Sequence, residues 1–147
     1  MHLTRESEYA LLGLTHLVQA PPGVPVSVGE VAAARRLPEE FLSKIFQKLA
    51  RHGVVVSGRG RGSGFTLARP PAEVRLAEVI EAVEGPTIFQ RCLLWRGYCA
   101  DSHPCPLHFR LRDLHPGIRG LLNEVSLADY MEQSGHRAVR AGDVPPP

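Results

Sequence analysis

The chain has 147 residues, is 44% hydrophobic and carries a formal net charge of +2. That length fits one compact domain, or a small domain plus an oligomerisation element, and no apolar run approaches the ~18 residues needed to span a bilayer. Three cysteines, an odd number, argue against a secreted disulfide framework, and Met1-His-Leu-Thr-Arg-Glu lacks a signal peptide's apolar core, so a reducing cytosol is the expected compartment.

Leu3, Ala10, Leu11, Leu14, Leu17 and Val18 recur at helical spacing, which predicts an amphipathic helix over 4–19 capped by Thr4. Pro21-Pro-Gly-Val-Pro25 ends it. Ser27-x-x-Glu30 reads as a capping box opening a short helix over 28–35. Pro38 suits a first helical position, and Phe41, Leu42, Ile45, Phe46 and Leu49 line one face until Gly53. Val54-Val-Val56 and Phe65-Thr-Leu67 predict two strands around a Gly/Arg loop. Three helices followed by a basic-tipped hairpin give the order of a winged helix-turn-helix. Val74, Leu76, Val79, Ile80 and Val83 predict a fourth helix, closed by Gly85-Pro86. From Leu107 to Val125 a helical stripe (Leu111, Leu114, Ile118, Leu121, Leu122) runs about five turns, long enough to need a partner beyond the winged core, most simply a second copy. Pro116 lies inside that stripe and predicts a kink or a break. Ser126-x-x-Asp129 starts a last short helix, and 134–147, ending in three prolines, reads as disordered. The expected organisation is a winged domain over 1–85, a cysteine-rich loop over 86–106, a dimerisation region over 107–133 and a tail over 134–147. The fold class is mainly α with a small β-hairpin.

Charge is unevenly spread. Residues 35–69 carry eight Lys/Arg against two acids, whereas 71–133 carry six against nine. A basic segment of this kind is the footprint of a phosphate-facing surface. In a helix-turn-helix the second helix enters the major groove. Here it would present Glu39, Glu40, Ser43, Lys44 and Gln47, with Phe41 near its start and Lys48 and Arg51 further along, close to phosphates. Arg59 and Arg61, set among glycines, would reach a narrow minor groove, where the potential is most negative. A solvated helix and an idle hairpin are the bland alternative; the helix, wing and basic segment together favour double-stranded DNA.

The three cysteines fall within 14 residues, Cys92-x6-Cys99-x5-Cys105, and His108 follows the last at Cys-x-x-His spacing. Thiolates select iron–sulfur clusters, zinc or Cu(I). The spacings of five and six are wider than those of structural zinc ribbons. Inert packing is disfavoured by the polar, Gly/Pro-rich loop around the thiols, and a thiol–disulfide switch is the other reading. Fourth-ligand candidates are His108, the weaker His103, and Glu8, which would reach in from a partner subunit. No base and oxyanion set accompanies the thiols, so a cysteine-nucleophile enzyme is not expected.

Taken together, these features resemble the dimeric winged-helix repressors of the IscR/NsrR type over residues 1–131. The resemblance rests on Met1-x-Leu3-Thr4 with Tyr9-Ala10, Phe41-Leu42 through Phe46, and Leu49-x-x-x-Gly53-Val54-Val55. It continues through Arg59-Gly60-x-Gly62-x-Gly64-Phe65, Glu78-Val79-Ile80 with Ala82-Val83, the three cysteines, and Leu121-x-Asn-x-Val-Ser-Leu127. It implies a cytoplasmic homodimer paired through the long C-terminal helix, binding a palindromic operator under the control of an iron–sulfur cluster. It also implies that Cys92, Cys99 and Cys105 hold that cluster. The position of His108 matches the fourth ligand of 2Fe–2S regulators of cluster assembly, and the position of Glu8 matches that of 4Fe–4S nitric-oxide sensors. The family usually separates its first two cysteines by five residues, one fewer than here. The alternative is a winged-helix regulator without iron, stabilised by zinc or switched by disulfide formation.

Overall fold

The computed structural model describes residues 3–58, 63–94 and 100–134. Six α-helices and one antiparallel hairpin occur among them. Helix α1 (Arg5–Gln19) starts at Thr4, whose hydroxyl accepts from the Glu6 amide at 3.1 Å. Helix α2 (Val28–Arg35) opens with both halves of the Ser27/Glu30 capping box in place. Arg36 then turns the chain in the left-handed region (φ 55°, ψ 46°), a conformation that costs a non-glycine residue about 1–2 kcal/mol. Helix α3 (Glu39–Arg51) follows. Pro38 is its cap rather than its first residue, because its ψ of 119° is still extended.

Strands β1 (Val55–Ser57) and β2 (Phe65–Leu67) pair antiparallel with Val56 opposite Thr66. β1 lies one residue later than the sequence suggests, since Val54 remains folded against α3, its N–H donating to Leu49 O at 3.0 Å. The hairpin gains an isolated bridge on the free side of β2 that no sequence pattern announces. Val26, in the loop after α1, exchanges both backbone bonds with Phe65, at 3.0 and 2.8 Å. Gly64 makes that pairing possible. A Cβ there would lie 2.6 Å from the Val26 carbonyl carbon and oxygen.

Helix α4 (Leu76–Glu84) is a two-sided plate. Val79, Ala82 and Val83 join Leu14, Leu42, Ile45, Phe46 and Leu49 in the winged core, while Ala77 and Ile80 pack with Ile88 and Phe89 against α5. Helix α5 (His108–Glu124) runs through Pro116 as one helix, so of the expected kink or break the break does not occur. Pro116 is exposed, so the carbonyl that loses its N–H partner lies on the wet side of the helix, where water can take it. Part of the α5 stripe is used within the chain: Ile118 and Leu122 lean on α4, while Phe109, Leu114 and Leu121 remain 52–65% exposed. Helix α6 (Leu127–Ser134) folds back onto the winged half. Leu127 is fully buried there and its N–H donates to Val74 O at 2.8 Å. No helix among the described residues is long and apolar enough to cross a membrane.

Gly64→Ala should lower the urea midpoint by the equivalent of about 1–3 kcal/mol, because the intruding methyl meets backbone that cannot rotate away. Gly58→Ala, with nothing nearer than 3.5 Å, should stay within roughly 0.5 kcal/mol.

Candidate DNA interface and thiol site

Helix α3 separates two faces cleanly. Leu42, Ile45, Phe46 and Leu49 have no exposed surface, whereas Glu40, Lys44, Gln47 and Arg51 are exposed at i, i+4, i+7 and i+11, with Ser43 half-buried beside them. These five form one solvent-facing row, the geometry a reading helix needs. Phe41 is 38% exposed, and its ring meets the Tyr9 ring edge-on at 5.8 Å. Arg36 is exposed at the turn leading into this face; the sequence reading passed over it. Arg59 and Arg61 lie outside the described residues.

Lys48, expected near phosphate, is half-buried and bonded to two neighbouring helices. Its ammonium pairs with Glu6 of α1 and donates to Val83 O of α4 at 3.0 Å. A second polar joint sits beside it. The Glu84 side chain is only 3% exposed, and its Oε1 accepts from Thr4 N (2.6 Å), Thr4 Oγ1 (2.8 Å) and Ser7 Oγ (2.8 Å). Arg91 donates to the Glu84 backbone carbonyl at 2.8 Å, and its guanidinium lies 3.9 Å from Oε2. Cys92 is the next residue. Covalent and polar links therefore run from the thiol segment through Arg91 and Glu84 to α1, and through Val83 and Lys48 to α3. Glu84 carried a sequence signal that was missed. An acid in the last turn of a helix opposes the macrodipole, so it implies a tertiary partner.

Cys92 and Cys105 are both buried thiols, each 5% exposed, and they pack together with Leu111 of α5. The chain brings these two expected ligands together from positions 13 apart. Cys99 lies outside the described residues. His108 is 1% exposed and its N–H donates to Cys105 O at 2.9 Å. Its imidazole Nε2 meets Asp101 Oδ1 at 2.7 Å. Hydrogen bonding from His108, together with the charge of Arg112, holds the Asp101 carboxyl below its usual pKa. His103 is exposed beside Ser102, and Glu8 is half-buried on α1. Among the described residues no three His, Cys, Asp or Glu side chains converge on one point. The structure thus gathers two thiols but not, within one chain, a described fourth ligand. His115, one turn beyond Leu111, is also buried, and burial pushes its pKa down.

The model of the Rrf2 family, described as iron-dependent transcriptional regulators, matches residues 3–133. The chain belongs to the Rrf2 family. It is 34% identical over 134 residues to a putative HTH-type regulator, ORF2, of Azotobacter vinelandii, covering 91% of this chain and 81% of that protein. It is 27% identical over 155 residues to the regulator IscR of Cronobacter sakazakii, covering 97% and 95%. Among solved structures, CymR, the global cysteine regulator of B. subtilis, superposes with a TM-score of 0.72 at 21% identity, covering 90% of this chain and 98% of that one. IscR of T. potens gives 0.68 at 19%, covering 100% and 94%. This Rrf2 protein is therefore a DNA-binding transcription regulator with a winged helix, not an enzyme.

Glu84→Ala should destabilise this regulator by roughly 2–4 kcal/mol in urea unfolding, because three donors at the start of α1 lose their shared acceptor and Arg91 loses the carboxylate it pairs with while keeping its bond to the backbone carbonyl. Loss below about 0.5 kcal/mol would show that the joint is dispensable.

Proposed function

We propose that this protein is a cytosolic homodimeric repressor whose hold on a palindromic operator is set by an iron–sulfur cluster on Cys92, Cys99 and Cys105. The observation that carries the reading is the burial of Cys92 and Cys105 side by side against Leu111, at the start of α5. A soft, partly dry pair of thiols suits an iron–sulfur cluster. The fourth ligand is His108 or Glu8, and the two correspond to 2Fe–2S and 4Fe–4S types respectively. Cys92, Cys99 and Cys105 would hold such a cluster, which would supply a centre reactive to redox change or nitric oxide. The chain's own residues do the rest. Arg91 links the thiol segment to Glu84, Glu84 holds the start of α1, and Lys48 ties α3 to both neighbours. Phe109, Leu114 and Leu121 on the open side of α5 fit a second copy. A dimer held there would place its two α3 helices about one DNA turn, ~34 Å, apart.

One observation favours a second reading, a thiol switch without iron. The packing of Cys92 with Cys105 suits disulfide formation as well, with two protons and two electrons passing to an oxidant. The structural neighbours include an oxidized form of CymR from Staphylococcus aureus. Zinc on the same thiols is the remaining iron-free form.

Protein purified without oxygen should absorb in the visible through sulfur-to-iron charge transfer and contain iron and sulfide. Cys92→Ala, Cys99→Ala and Cys105→Ala should each abolish the absorption. His108→Ala alone altering the spectrum assigns the 2Fe–2S type; Glu8→Ala alone assigns the 4Fe–4S type. A colourless protein with stoichiometric zinc, or with reversible Cys92–Cys105 oxidation, would replace the cluster with the second reading.

On DNA, Ser43, Lys44 and Gln47 face base edges, Arg51 holds phosphate and Arg59 enters the minor groove, with Glu40, Phe41 and Arg61 flanking. Arg51→Ala should weaken all sequences alike and reduce the salt slope by roughly one unit. Arg59→Ala should cost about 1–3 kcal/mol, most at A/T-rich narrow-groove sites. Because Lys48 is bound within the fold, Lys48→Ala should lower the urea midpoint more than it lowers the salt slope. Equal losses on operator and random DNA for every one of these variants would move the reading surface elsewhere.

A further inference from the structure

Arg36 is the one residue other than glycine with a positive φ among the described residues (φ 55°, ψ 46°). Its neighbours impose that conformation. The N–H groups of Arg36 and Leu37 both donate to Ala32 O, closing α2 in the manner of helix ends that favour glycine, and Leu37 then returns to the core at 7% exposure. Glycine would fit this turn without strain, so an arginine here points to a role outside the fold. A cation answering the C-terminal pole of α2 is the plain alternative, but Arg35 in the last turn already supplies one. The two arginines differ in their surroundings. Arg35 is half-buried, and its Nη2 donates to Gln19 Oε1 of α1 at 3.1 Å. Arg36 is exposed, and its guanidinium has no hydrogen bond or ion pair among the described residues. In a helix-turn-helix the first helix crosses the DNA backbone and the N-terminal residues of the second meet base edges. The turn joining them therefore passes over the phosphates that border the groove, and Arg36 heads that turn. Ala33 and Ala34, exposed just before it, are too short to hold a duplex away.

We propose that Arg36 is a phosphate anchor: its exposed guanidinium, carried on the left-handed turn between α2 and α3, contacts the DNA backbone, and that contact offsets the strain an arginine suffers there. This inference rests on the DNA interface described above and adds a residue to it. Phosphate carries no base identity, so the contact contributes affinity and orientation rather than sequence preference. Strain and charge give opposite signs for a single substitution. Arg36→Gly should make the protein more stable and its hold on DNA weaker.

The test uses the full, reduced chain and a random-sequence DNA duplex, with affinity followed by fluorescence anisotropy over a range of salt concentrations. Arg36→Gly should reduce the salt slope by about 0.9 unit per chain bound, which lowers affinity about fivefold at ~0.15 M salt. Its urea midpoint should rise, because glycine relieves the left-handed turn. Arg36→Gln keeps the strain and drops the charge, so its slope should fall as in Arg36→Gly while its urea midpoint stays at that of the unaltered protein. Arg36→Lys should keep most of the slope. Arg35→Gln removes the same net charge one residue earlier, and should change the slope by less than half as much. Far-UV circular dichroism establishes that each variant is folded. An unchanged slope in Arg36→Gly overturns the anchor. Equal slope losses in Arg35→Gln and Arg36→Gln overturn it too, because the effect would then be one of net charge alone. A lower urea midpoint in Arg36→Gly does the same, by making the arginine part of the fold. If the unaltered protein shows no salt-dependent affinity for duplex DNA, the interface itself is wrong and the anchor falls with it. Salt-dependent binding with no Arg36 effect would reject the anchor alone.

Discussion

The Glu84 carboxylate is the constraint around which the molecule is arranged. It sits at the C-terminal end of α4, where the helix field disfavours a negative charge, and it is almost wholly shielded from water. Both costs fall only if donors converge on it. They come from the opposite pole of another helix: Thr4 and Ser7 at the start of α1, where N–H groups lack helical partners and the field is positive. One acid thus answers the open N-terminus of α1 and fixes the angle at which α4 crosses it. Arg91 closes the joint from the other side.

With α4 seated, its two faces decide the rest. Val79, Ala82 and Val83 complete the winged core, and Ala77 and Ile80 offer a platform to Ile88, Phe89 and α5. Arg119 of α5 bonds Glu81 of α4 at 2.8 Å across that platform. The thiol segment lies between the platform and the start of α5, so Cys92 is one residue from the Arg91 joint and Cys105 touches Leu111 of the helix. A change at the thiols has short routes into both the helix with the exposed apolar edge and the helix with the exposed polar row. The joint at Glu84 lies on that route, tied to the thiol segment by Arg91 and to α1 by Thr4 and Ser7.

Helix α3 shows a similar division of labour. Lys44 and Arg51 face solvent from α3, whereas Lys48, between them in sequence, stabilises the contact of α3 with α1 and α4. A basic residue on α3 is therefore not by itself a candidate phosphate contact. Its place on the helix decides: Lys48 lies between the buried row and the exposed one, at the edge where α1 and α4 come within reach.

The sequence alone determined the elements and their order. Caps at Thr4 and Ser27, the 3–4 spacing of Leu42, Ile45, Phe46 and Leu49, and β-branched Val54–Val56 are local signals, and local energetics obey them within a residue or so. The crowding of the three cysteines was also visible in the sequence, and the structure packs two of them, Cys92 and Cys105, against Leu111. The tertiary structure decided what depends on neighbours distant in the chain. Val26 pairs with Phe65 only because Gly64 lets two backbones approach. Leu127 belongs to the winged core only because α6 folds back. Pro116 is accommodated because its side of α5 faces water. Glu84 with Ser7, Lys48 with Glu6 and Val83, and His108 with Asp101 are side-chain pairings, and a chain's periodicity carries apolar burial but not the partner of a charge. Burial pattern is a one-dimensional signal repeated every turn; a salt bridge or hydrogen bond is a single three-dimensional coincidence, fixed only when the helices have packed.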